Sequence, residues 1–205
     1  MNEPAFPRAR WLAAGWLAVY LPSYTWAYGF TNFLFLCNLA AILFCLGILR
    51  GQALLVSVAA LSSLVVDIVW ILDFAARLLL GRHLFGGTEY MWDPRWPLFT
   101  RLLSLYHAAL PALLILALRR LGYDRRALLV QSVLALVVVS LSRLADPQAN
   151  INYAHLDPFF LRSWGPPPVH VMVVWIALLL SAYLPAHLVL GRWLPSAEAA
   201  GHRSL

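Results

Sequence analysis

The chain has 205 residues, 62% of them hydrophobic and 12% charged, with a mean hydropathy of +0.74, whereas a soluble domain is about 45–50% apolar and about 25% charged. That excess excludes an ordinary soluble globule. The net charge of +6 rests on 15 basic residues, all arginine, which sit between apolar runs rather than in one stripe and so argue against a nucleic-acid partner.

The apolar runs predict an all-α fold, a polytopic transmembrane helical bundle of five to six spans forming a single domain over residues 1–205. In chain order the spans fall at about 11–29, 31–49, 53–76, 97–118, 127–144 and 169–190. The first follows Arg8 and Arg10 as a signal peptide would, but Pro22 and its tyrosines and tryptophans interrupt it, so it reads as a retained interfacial or short spanning helix. The other five are uninterrupted. Their breaks lie at Arg50-Gly51, from Arg119 to Arg126, at Asp146-Pro147, from Gly165 to Pro168, and at Gly191-Arg192.

With six spans, nine arginines share the side of the two termini and six lie opposite. The positive-inside rule then places both termini in the cytoplasm of a bacterial inner membrane. With five spans the count becomes seven against eight and sets no orientation. The two outer loops, from Arg77 to Arg101 and from Arg143 to Pro168, are rich in Trp, Tyr, Gly and Pro, and Trp92, Trp96 and Trp164 suit an interfacial belt.

Polar side chains at hydrocarbon depth are costly unless paired or functional, and here they are Cys37, Asp67, Asp73, His107 and His170. Counting from the outer end of each span, Cys37 lies about 9 Å deep, Asp67 about 13 Å and His107 about 15 Å. They share one leaflet, with Asn32, Asn38, Asn152, Tyr153 and His170 around them as pocket-lining residues. Asp73 and Arg77 have the i, i+4 spacing of an ion pair. Cys37 and Cys45 lie in one run, about 12 Å apart along a helix, too far for a disulfide, and Cys45 reads as a packing residue. A cysteine and a histidine at matched depth suit a nucleophile and its base, with Asp67 orienting the imidazole and Asn32 or Asn38 as oxyanion donor. The histidines are not paired as haem ligands, and no metal-ligand spacing occurs, so neither metal nor cofactor is expected.

The order Asn32-Phe-Leu-Phe-Leu-Cys37-Asn38, then His107 to Pro111, then Asn150-Ile-Asn152-Tyr153, then Gly165-Pro-Pro-Pro resembles the YwaF-type bacterial integral membrane proteins. Their relatives include the androgen-induced and androgen-dependent membrane hydrolases. An uncharacterised bacterial membrane group with N-F-L-x-x-C/S, G-Y-D-R-R and N-I-N-Y stretches is similar too. The resemblance implies a helical bundle that hydrolyses or transfers fatty acyl groups of membrane lipid, with Cys37 as nucleophile, His107 as base, and Asn152 and Tyr153 in a structural or pocket-lining turn. The chain departs from it where Asn38 replaces a more familiar acid. The competing expectation is a non-enzymatic bundle, either a small carrier using Asp67 or a membrane subunit presenting the stretch from Gly86 to Pro94 to a protein partner.

Overall fold

In an apolar run the backbone groups have no water to bond and must bond one another, which selects helices. The computed structural model describes residues 5–201 and contains helices and no strand among the described residues. Arg203, one of the arginines that weigh on orientation, lies outside them. The helices are α1 (Ala9–Tyr28), α2 (Leu36–Arg50), α3 (Ala53–Leu80), α4 (Leu98–Leu103), α5 (Tyr106–Leu121), α6 (Ala127–Ser142), α7 (Pro167–Leu178), α8 (Leu184–Trp193) and α9 (Ala197–Gly201). A π-turn, Leu179–Tyr183, joins α7 to α8. Pro185 follows it and lacks the N–H that would bond one turn back, the usual cause of such a widening.

Three segments are long and apolar enough to cross a membrane, namely Ala53–Leu80, Leu98–Leu121 and Pro167–Trp193. Leu36–Arg50 and Ala127–Ser142 are shorter apolar helices. Large side chains such as Leu116, Leu129, Val133 and Leu188 point outward, as they would toward hydrocarbon rather than water.

The central element is α3, whose Val56, Ala59, Ala60 and Leu61 are buried among α2, α5, α6 and α8. Its packing on α2 depends on small residues that let the backbones close. At Gly47 a Cβ would stand 2.6 Å from Val56 Cγ2, so no larger residue fits there without a shift. The end of the bundle that carries the turn at Gly51 is called lower here, and the end that carries the loops 81–97 and 143–166 upper. At the lower end the Tyr123 amide donates to the Pro195 carbonyl at 2.7 Å, and the Tyr123 hydroxyl meets His187 Nδ1 at 2.8 Å.

The apolar runs and the helices differ at three places that matter for the site. The second run opens as a 3-10 turn, Phe30–Leu34, and becomes α-helical only at Leu36, because Phe35 is extended (ψ 125°). The third continues past Ala76 to Leu80, where Gly81 in the left-handed region ends it. The fourth is broken at Ser104 and Leu105 into α4 and α5.

Candidate functional site

The middle of α3 and the first turn of α5 bring a carboxylate and an imidazole together. His107 Nδ1 stands 2.6 Å from Asp67 Oδ1, with Asp67 fully buried and His107 4% exposed. The ring is held flat between two aromatic neighbours, Trp70 at 5.0 Å and 20° and Tyr106 at 4.1 Å and 27°. Trp70 is itself fixed, donating from Nε1 to the Tyr90 hydroxyl at 3.2 Å. A carboxylate on Nδ1 keeps the proton there, so Nε2 carries the free lone pair. The Cys37 side chain interacts with the same imidazole. Cys37 is half-buried, whereas Cys45, two turns below, is enclosed in the core. The structure brings His107 and Asp67 together from two helices, with Cys37 on a third interacting with the same imidazole.

The late start of α2 puts Cys37 in its first turn. There the N–H groups of Cys37 and Asn38 have no carbonyl one turn back within the helix, and the helix dipole favours negative charge. Asn152 sets this start: its Oδ1 accepts from the Leu36 N–H at 3.0 Å, and its Nδ2 donates to the Leu34 carbonyl at 2.7 Å and to Ser142 Oγ at 3.0 Å. Its positive φ of 52° belongs to a left-handed stretch that also holds Asn150 and Tyr153, and asparagine tolerates that region better than most residues. Asn152 thus aligns the helix that carries Cys37.

The side chain of Asn38 is held at both its nitrogen and its oxygen. Its Nδ2 donates to the Asn32 carbonyl at 2.8 Å and its Oδ1 accepts from the Tyr106 hydroxyl at 2.7 Å. Asn32 contributes a carbonyl that anchors Asn38. Tyr153 is 46% exposed at the upper surface, where burial of its hydroxyl still pushes its pKa upward. His170 stands apart from the cluster. Its Nδ1 accepts from the Trp164 N–H at 3.1 Å and its Nε2 faces the Tyr153 carbonyl at 3.0 Å, so the ring ties two points of the loop 143–166 to the start of α7.

The expected ion pair between Asp73 and Arg77 does not form. Asp73 Oδ1 accepts from the backbone N–H groups of Leu84, Phe85 and Gly86, and Oδ2 from Thr88 N, Thr88 Oγ1 and His83. Arg77 donates to the Gly81 carbonyl and lies over the Trp92 ring instead. A loop offering this many donors outcompetes one half-buried arginine, because the loop N–H groups would otherwise lack a partner. The loop so fixed carries Tyr90 to Trp70 and roofs the site, and burial pushes the Tyr90 hydroxyl well above its ordinary pKa.

An aromatic wall completes the cluster. Tyr20 stacks on Trp16 at 4.2 Å, Tyr24 lies tilted against Tyr20 at 4.2 Å and 44°, and the Tyr24 hydroxyl meets Ser104 Oγ at 2.5 Å. The signal for it is Trp16, Tyr20, Tyr24 and Tyr28 at a strict spacing of four, which marks one face of a helix. Read as interruptions of an apolar run, these residues give no hint of the site. Asp67 Oδ2 and Ser63 Oγ are buried one turn apart on α3 and interact with each other. No three His, Cys, Asp or Glu side chains gather among the described residues as a metal site requires. No protein-family model matches the chain, and comparison with curated proteins and with solved structures finds no match.

Proposed function

We propose that the chain is a membrane bundle of five to six spans, with cytoplasmic termini in a bacterial inner membrane, that transfers or hydrolyses the acyl groups of membrane lipid at Cys37. The observation that carries the reading is the imidazole of His107, held on one nitrogen by Asp67 at 2.6 Å and interacting with Cys37. The likeness to the YwaF-type proteins points the same way.

In the reaction, His107 Nε2 takes the Cys37 proton as the thiolate attacks the acyl carbonyl carbon. The resulting oxyanion is met by the N–H groups that open α2. The tetrahedral adduct collapses to a Cys37 thioester, and the leaving oxygen departs with the proton from His107. Water or an acceptor hydroxyl then gives its proton to His107 and attacks the thioester. The released thiolate recovers that proton. Asp67 keeps the imidazole in one tautomer and offsets its positive charge in both steps.

The purified protein is to be assayed against acyl esters of increasing chain length. Cys37→Ala and His107→Ala are expected to lose turnover while Cys45→Ala keeps it. Full turnover in Cys37→Ala would overturn the reading.

A further inference from the structure

The loop 143–166 ends in a tip of three consecutive apolar residues. Phe159, Phe160 and Leu161 are between 65% and 76% exposed. Single exposed hydrophobic side chains are ordinary, whereas a contiguous group marks a surface that meets something other than water.

The tip is held in shape by its own loop. Asp157 Oδ1 accepts from the N–H groups of Phe159 at 2.8 Å and Phe160 at 2.9 Å, and the Asp157 carbonyl accepts from the Leu161 N–H at 2.9 Å. The Asp157 N–H donates to the Arg162 carbonyl at 2.9 Å and closes the neck. Leu161 is thereby kept at a φ of 51°, a left-handed conformation that a leucine adopts only when its surroundings impose it. Each N–H of the three tip residues thus has a partner inside the loop, the condition that irregular backbone must meet to leave water.

The loop is also fixed to the start of α7. Trp164 donates from its backbone N–H to His170 Nδ1 in the first turn of that helix, and from Nε1 to Asp157 Oδ2, both at 3.1 Å. Phe160 packs edge-on against the Trp164 ring at 5.5 Å, and the Arg162 guanidinium lies over that ring at 4.1 Å. The segment Pro167–Trp193 has 27 residues, about 40 Å of helix against about 30 Å of hydrocarbon, so in a bilayer its first turn stands at the level of the lipid headgroups. The apolar surface continues below, where Val169 and Met172 on α7 and Leu141 on α6 face outward.

We propose that residues 156–164 form an interfacial anchor, with Phe159, Phe160 and Leu161 entering the upper leaflet of the bilayer and Arg162 and Trp164 at its headgroups. Three side chains fall short of the about 800 Å² that each partner gives to a standard protein interface, which sets aside a partner protein or a second copy. A bilayer demands no such area, and a guanidinium matches the phosphates of its headgroups. The inference rests on the membrane-bundle reading and adds the surface that seats the bundle in that leaflet.

The test attaches a nitroxide at single cysteines made by Phe160→Cys, Ile176→Cys and Arg95→Cys in a Cys37→Ser, Cys45→Ser background, in vesicles of phosphatidylcholine and phosphatidylglycerol. Collision with oxygen, which concentrates in lipid, is compared with collision with a water-soluble nickel chelate. Ile176 faces outward on α7, and Arg95 lies in the loop 81–97 with its side chain in solvent. The oxygen-to-nickel ratio at Phe160→Cys is expected to exceed that at Arg95→Cys several-fold and to approach that at Ile176→Cys. Equal ratios at Phe160→Cys and Arg95→Cys, with Ile176→Cys still high, would overturn the anchor and leave the membrane bundle standing. A low ratio at Ile176→Cys as well would overturn both.

Discussion

Asp67 and Asp73 lie six residues apart on one helix, both almost fully buried, and their surroundings differ in kind. Asp73 sits at the upper end of α3 with both oxygens saturated by the loop that follows. Asp67, at mid-helix, bonds one imidazole nitrogen and has Ser63 one turn back as its other polar neighbour. A saturated carboxylate organises backbone. A carboxylate with few donors, bonded to a buried histidine, is what proton transfer needs. The two cysteines of α2 repeat the contrast, with Cys37 half-exposed beside the imidazole and Cys45 enclosed by aliphatic neighbours.

If this contrast is sound, the largest loss of stability belongs to Asp73. Asp73→Ala strands several loop donors at once and should cost about 4 kcal/mol, read as a fall in denaturation midpoint in detergent; a change under about 1 kcal/mol would show the loop holds itself. Asp67→Asn should do the reverse, leaving the midpoint near wild type while turnover drops about a hundredfold, about 2.7 kcal/mol in the barrier. Were both variants equally unstable and equally impaired, the distinction would fail.

His170 gives the same comparison among histidines. His170→Ala leaves the Trp164 N–H and the Tyr153 carbonyl unpartnered and should cost about 2 kcal/mol, without abolishing thiol reactivity in whatever fraction remains folded. The smallest effect lies at the lower end. There the Arg126 guanidinium beside Asp124, together with the Arg126 N–H, holds the Asp124 carboxyl below its ordinary pKa. A folded-state pKa below the unfolded one stabilises above the unfolded value and is lost as pH falls through the folded one. Asp124→Asn should therefore flatten the acid limb of the stability curve below about pH 4, by less than about 1 kcal/mol because Arg126 is largely in solvent. An unchanged acid limb would remove Asp124 from the account.

Much of the architecture was legible because apolar length and helix breakers are local signals. The starts at Ala53 and Ala127 follow directly from the residues before them. The pairing of His107 with Asp67 was legible, since a buried histidine and carboxylate at matched depth have few uses. What was not legible depends on contacts distant in sequence. Nothing near Leu36 announces that Asn152, 116 residues on, accepts its N–H and fixes where α2 begins. Nor does the spacing of Asp73 and Arg77 reveal that the loop after Gly81 competes for the carboxylate. The tyrosine face of α1 was present as a four-residue repeat, but hydropathy counts residues without regard to which way they point.

The most direct measurement is labelling of the purified protein with an acyl-mimicking, thiol-reactive probe, mapped by mass spectrometry in wild type, Cys45→Ala, His107→Ala and Asp67→Asn. The account predicts an adduct on Cys37 that persists without Cys45, disappears without His107 and slows in Asp67→Asn. Equal labelling of Cys37 and Cys45, unaffected by His107→Ala, would contradict it.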